Sequence, residues 1–144
     1  MIKNIENRAV KLLKSKGLRL TGTRIEILQS FLECSCALSL RDLNSRMESK
    51  PERTTIYRTL ISFINSGLIH EIAEENGTVK YGLCREKSCG KGEHHHNHLH
   101  FKCDKCGSTF CIEASADLNI NLPKGFHLNA VSVSITGECE SCST

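Results

Sequence analysis

Two Cys-x-x-Cys pairs, Cys103/Cys106 and Cys139/Cys142, constrain this 144-residue chain more than any other feature it carries. One such pair puts two thiolates on adjacent corners of a tetrahedron, and a second closes the four-coordinate site that Zn²⁺ prefers. From Cys106 to Cys139 the separation is 33 positions, wider than a minimal zinc ribbon. A metal there staples the end of the chain onto a domain instead of folding a small finger. The competing reading, two independent redox pairs, fits the spacing less well. His94, His95, His96, His98 and His100 come directly before Cys103, so an open, histidine-rich ligand reservoir stands beside the closed thiolate site.

Composition supports ligation. The chain has nine cysteines, an odd count that does not close into a disulfide framework, and cysteines in a reducing compartment serve metals more often than bridges. Apolar residues make up 39 %, enough for a core, but aromatics reach only 5 % with no Trp, so that core is aliphatic and a structural metal would add stability to a small unit. No run of 18 apolar residues and no leader pattern is present, so the expectation is a cytoplasmic, soluble chain with no membrane partner.

The net charge of +3 is unevenly spread. Residues 1–70 hold 12 Lys/Arg against 6 Asp/Glu, whereas residues 71–144 hold 7 against 10. A basic half joined to an acidic, ligand-rich half suits a nucleic-acid reader coupled to a regulatory unit. In the basic half, Ile5, Ala9, Val10, Leu12 and Leu13 follow helical spacing up to Gly17. Thr21 is placed to cap a second helix carrying Ile25, Ile27, Leu28, Phe31 and Leu32. Ser39 is placed to cap a third with Leu40, Leu43 and Met47. A fourth begins near Arg53 after Pro51, carries Ile56, Leu60, Ile61, Phe63 and Ile64, and stops at Gly67. Two strand-like runs, 68–73 and 78–83, flank Asn76-Gly77, a hairpin signal. Helices followed by a hairpin predict a winged helix-turn-helix.

The fourth helix reads as the recognition helix. Arg53, Thr54, Thr55, Tyr57 and Arg58 crowd donors into its start, and its continuation is apolar. The arginines suit guanine edges or phosphates, and the hydroxyls suit phosphates. Arg19 and Arg24 add charge at the first helix–helix junction, where they suit a DNA backbone or minor groove. The segment from Cys84, with Cys89, Gly90 and Gly92, reads as a hinge. Beyond it, Leu99, Phe101 and residues 109–112 predict a strand pair around the first cysteine pair. Val131, Val133 and Ile135 predict a half-buried strand leading into the second, and residues 114–121 predict a short helix. The expected fold class is α+β: a winged helix-turn-helix over 1–83, a hinge and His-rich segment over 84–97, and a small α/β unit over 98–144.

These motifs resemble the ferric uptake regulator superfamily, which includes iron-, zinc- and peroxide-responsive members. The resemblance covers nearly the whole chain: Gly17-Leu18-Arg19-Leu20-Thr21 with Arg24, Thr54-Thr55-Ile56-Tyr57-Arg58-Thr59-Leu60, Ser66-Gly67-Leu68-Ile69, His98-x-His100-x-x-Cys103-x-x-Cys106-Gly107, and Gly137-x-Cys139-x-x-Cys142. It implies a homodimeric, metal-dependent transcriptional repressor that binds double-stranded operator DNA. The C-terminal unit would be its dimerisation domain, with structural Zn²⁺ on the four cysteines. A second, regulatory divalent metal at the hinge would set the angle between the domains. His98 and His100 match the sensor histidines. Cys111 stands where relatives usually carry Asp or Glu, Ala37 where they often carry a sensor His, and Gly82 at the hinge carboxylate position, two residues before Cys84. Asn97, Leu99, Ser115 and Val131 occupy the positions of a further regulatory site and do not suit it.

A regulatory set of His98, His100 and Cys111, completed by Cys84 or Cys89, is an N/S donor set that favours Zn²⁺ over Fe²⁺. Haem- or peroxide-responsive variants stay open. So does ligation by Cys34 and Cys36 as against plain packing, while His94, His95 and His96 read as an exposed metal-collecting tract. A zinc hydrolase or deaminase would need a base such as Glu93 or Glu113, and no His-x-Glu constellation supports one. A pure protein-binding zinc ribbon leaves the basic half without a purpose. The expectation is a regulator with no small-molecule substrate.

Overall fold

A computed structural model describes residues 2–74, 76–84, 98–113, 120–128 and 133–144. The chain divides into two compact units, Met1–His94 and His95–Thr144.

The N-terminal unit is built on four helices. Helix α1 (Ile2–Ser15) buries Ala9 and Leu13, and α2 (Gly22–Cys34) buries Ile27, Leu28 and Phe31. Thr21 accepts the Arg24 N–H and so caps α2, as its position predicts. A two-residue strand, β1 (Leu38–Ser39), leads into α3 (Leu40–Arg46). Ser39 and Asp42 close a reciprocal capping box at that junction, each side chain taking the other's backbone N–H. Met47 leaves the helix as its C-cap and stays buried. Helix α4 (Arg53–Asn65) turns Ile56, Thr59, Leu60 and Phe63 inward. It ends where Gly67 turns left-handed (φ 78), which lets the Leu68 N–H reach the Phe63 carbonyl.

The wing follows. Strands β2 (Ile69–Ala73) and β3 (Val79–Leu83) pair antiparallel, and β1 joins the far side of β3 through Leu38↔Tyr81. Glu74 and Thr78 add one more rung, and Gly77 (φ 83) closes a three-residue loop. Asn76-Gly77 therefore marks the turn but not a two-residue hairpin. One apolar core, aliphatic except for Phe31, Phe63 and Tyr81, runs from Ala9 and Leu13 and joins all four helices to the wing.

The C-terminal unit centres on β4 (His98–Cys103). It pairs antiparallel with β5 (Thr109–Glu113) and parallel with β6 (Val133–Gly137), in the order β5-β4-β6. A short helix, α5 (Glu140–Ser143), ends the chain. The parallel pairing was not expected, and Ile135, read as half-buried, is exposed within this unit. Residues 114–119 of the expected short helix, and Val131, lie outside the described residues, while Ile120 and Asn121 are not helical. Among the described residues no helix is long and apolar enough to cross a membrane.

Candidate metal centre and nucleic-acid interface

The four cysteines of the two pairs converge. Strand β4 delivers Cys103 at its last residue, and β6 ends beside it through Cys103↔Gly137, which brings Cys139 within reach. A Cβ at Gly137 would lie 3.1 Å from the Phe101 ring, so any larger residue there would need that ring to give by a few tenths of an ångström. Gly107, left-handed at φ 74, donates its N–H to the Cys103 carbonyl and folds the first pair into a tight knuckle. Cys139 caps α5, whose single turn places Cys142.

All four Sγ atoms lie within 4.8 Å of one another, and Cys106 and Cys139 are 3.8 Å apart. A tetrahedron with Zn–S bonds of about 2.3 Å has an S–S edge of about 3.8 Å, so this spacing suits zinc. The Cys103 sulfur is buried and accepts the N–H groups of Cys106 (3.5 Å) and Cys139 (3.4 Å). Those two donors, Cys106 first, hold its thiol down to about 6. Hydrogen bonds from Ser108 lower Cys106, whereas bonding to Cys139 pushes Cys142 up to about 12. The set therefore already carries thiolate character at Cys103, the form that binds metal. Around the rim, Lys105 bridges Glu138 at 3.1 Å and reaches the Cys142 carbonyl, an exposed contact worth little by itself.

The residues expected as sensor ligands fall in both units. In the C-terminal unit His100 and Cys111 are direct cross-strand partners, and His98 opposes Glu113. In the N-terminal unit the Cys84 N–H extends the wing ladder to the Leu68 carbonyl, and its sulfur lies 3.4 Å from Nδ1 of buried His70. His70 escaped sequence reasoning because it lies in an apolar strand; the signal was the hairpin register, which folds β2 back along the stretch that ends at Cys84. Cys89, His94, His95 and His96 lie outside the described residues.

Helix α4 presents the DNA-type face. Arg53, Thr54, Thr55, Tyr57 and Arg58 are exposed, Tyr57 by 50 %, while the opposite face is buried in the core. Arg19 is exposed. Arg24 is half-buried, and its guanidinium donates to the Arg19 carbonyl at 2.9 Å. Arg24 thus shapes the loop that carries Arg19, a structural duty its charge alone did not reveal.

Residues 15–135 match the Ferric uptake regulator family. Over 141 residues the chain is 33 % identical to the ferric uptake regulation protein of Staphylococcus aureus, covering 94 % of this chain and 96 % of that protein. Over 142 residues it is 28 % identical to the zinc uptake regulation protein of Escherichia coli, covering 94 % and 79 %. The fold is similar to that of a zinc uptake regulator solved in complex with zinc and DNA, with a TM-score of 0.64 at 24 % identity, over 98 % of this chain and 94 % of that one. The winged helix, the four-cysteine knuckle and the length of these matches lead to one conclusion: the chain belongs to the Ferric uptake regulator family of metal-responsive transcriptional regulators.

Proposed function

We propose that this protein is a cytoplasmic repressor that binds inverted-repeat operator DNA as a homodimer when loaded with a regulatory metal, and that the metal is Zn²⁺. The observation that carries the reading is α4: five donor-bearing residues face solvent on a helix whose other face is locked into the core. Arg53, Thr54, Thr55, Tyr57 and Arg58 contact base edges and phosphates of the major groove, and Arg19 follows the backbone. Cys103, Cys106, Cys139 and Cys142 hold one structural Zn²⁺. Its role is to couple β4, β6 and α5, which would otherwise be a small sheet with a thin core.

The regulatory ion takes His98, His100 and Cys111, completed by one thiolate from the preceding segment, Cys84 or Cys89. Imidazole and thiolate suit zinc, whereas iron sites of this kind draw more on oxygen. An ion shared by ligands from both sides of residues 85–97 shifts a population only if it binds the DNA-competent arrangement more tightly. Homodimer formation is supported by the apolar surface of the C-terminal unit, where Ile112, Ile120, Leu122, Phe126, Leu128 and Ile135 are 38–65 % exposed.

Selection from a random duplex library, with the protein carrying structural zinc and given extra Zn²⁺, Fe²⁺ or a mild chelator, tests the reading. Enrichment of an inverted repeat with Zn²⁺ is expected. Enrichment with Fe²⁺ alone would make iron the regulatory metal, and no metal-dependent enrichment would refute the repressor reading.

A further inference from the structure

Cys34 and Cys36 serve neither the four-sulfur cluster nor the proposed regulatory set. They flank Ser35, which caps the C-terminal end of α2 in the left-handed conformation (φ 54). Both side chains are half-buried against the apolar core, their Cα atoms are 5.1 Å apart, and their sulfurs lie within bonding distance of each other.

We propose that Cys34 and Cys36 are a reversible thiol–disulfide pair, a modification site in the N-terminal unit that a low-molecular-weight disulfide closes and the corresponding thiol reopens. The ring that the pair closes is small. The two residues are separated by only two positions, and loop-closure entropy shrinks with the loop, so the bridge removes little freedom from the unfolded chain and does not act as a staple. A bridge that adds so little to the stability of the fold can open and close without unfolding the chain. Both sulfur-bearing residues are half-buried, not buried, which leaves a small oxidant a path to them.

The position of the pair gives it a structural consequence. A serine does not favour the left-handed region, so the bridge holds a turn that the open dithiol is free to relax. Immediately beyond that turn, buried Ala37 and Leu38 enter β1, and Ser39 closes the capping box of α3. The pair therefore sits on the join between α2 and the helix–turn–helix.

The chemistry balances with one oxidant molecule. One cysteine thiolate attacks a sulfur of the external disulfide, forming a mixed disulfide and releasing one thiolate. The second cysteine attacks the protein-side sulfur of that mixed disulfide, forming the Cys34–Cys36 bond and releasing the other thiolate. Two electrons pass to the oxidant, and the two thiol protons end on its two released sulfurs.

The test uses the full chain with structural zinc in glutathione buffers of varied ratio, quenched with iodoacetamide in denaturant and digested with trypsin. The peptide after Arg24 through Arg41 contains these two cysteines and no others. Glutathione disulfide in excess is expected to yield that peptide unlabelled and two hydrogens lighter, and excess glutathione to return it doubly labelled. Cys34→Ser and Cys36→Ser should each stop at the mixed disulfide, adding one glutathione to the peptide. A doubly labelled peptide at every ratio would overturn the proposal, and so would a bridge that persists in excess glutathione with the chain folded.

Discussion

Cys103 is the side chain on which the metal cluster turns. It ends β4, is fully buried, and receives two backbone N–H groups at its sulfur. A serine hydroxyl is a poor replacement for a thiolate toward zinc, so Cys103→Ser is expected to lose the structural ion and to melt the C-terminal unit at lower temperature. Zinc content by atomic absorption and a thermal melt check this, and a variant that kept one zinc per chain would refute the assignment. The metal-free cluster also has a predictable pH response. The Cys103 thiol is lowered to about 6 by its N–H donors, so this thiolate stabilises the folded metal-free unit above the ordinary thiol range. That contribution is expected to fade as pH falls from about 9 through 6. Cys142, raised to about 12, acts in the opposite sense: its neutral form is favoured below the ordinary range and that gain fades as pH rises toward 12. A melt of chelated protein at stepped pH, set beside the same series for Cys103→Ser, reads the first effect as a slope present only in the parent chain.

At the scale of elements, α4 separates fold from recognition residue by residue. Leu60 is fully buried in the core, and Leu60→Ala is expected to cost about 2–5 kcal/mol of stability. Arg58 is exposed, so Arg58→Ala should leave the melting temperature nearly unchanged while weakening DNA binding by about 1–3 kcal/mol. Equal loss of fold and binding in both variants would dissolve the separation. The helices and the wing were legible because apolar spacing, Thr21, Ser39 and Gly67 all signal the same boundaries. Strand β1 was not legible: Leu38 and Ser39 become a strand only by pairing with Tyr81 and Lys80 on β3, far along the chain. The β4–β6 pairing was equally hidden, since Val133 and Ile135 fix their own strand period but not the neighbour or direction of that strand. The four-cysteine site was readable because its spacing carries its geometry. His70 was not, because its relation to Cys84 comes from the wing register.

At the scale of the molecule, the four-sulfur cluster and the proposed regulatory set divide the work. The four-sulfur cluster lies within one unit and draws on β4, β6 and α5, so the proposed structural ion would stabilise that unit whatever the DNA does. The proposed regulatory ligands come from either side of residues 85–97, so their ion can respond to how the chain is arranged around that segment. This difference predicts different failures. His100→Ala and Cys111→Ser, on paired positions of β4 and β5, should retain structural zinc and the melting temperature of the parent but lose the response of DNA affinity to added Zn²⁺. A coupling of the usual size, about 1–3 kcal/mol, would appear as a roughly 5- to 150-fold gap in affinity between metal-loaded and metal-depleted parent protein, collapsing toward unity in both variants. The measurement is a titration of the selected inverted repeat at fixed salt, since the proposed phosphate contacts by Arg19 and Arg53 would make affinity fall steeply with ionic strength. If both variants kept the full zinc response, the switch would have to lie outside His100 and Cys111. If they lost structural zinc as well, the division between a stabilising ion and a regulatory one would fail.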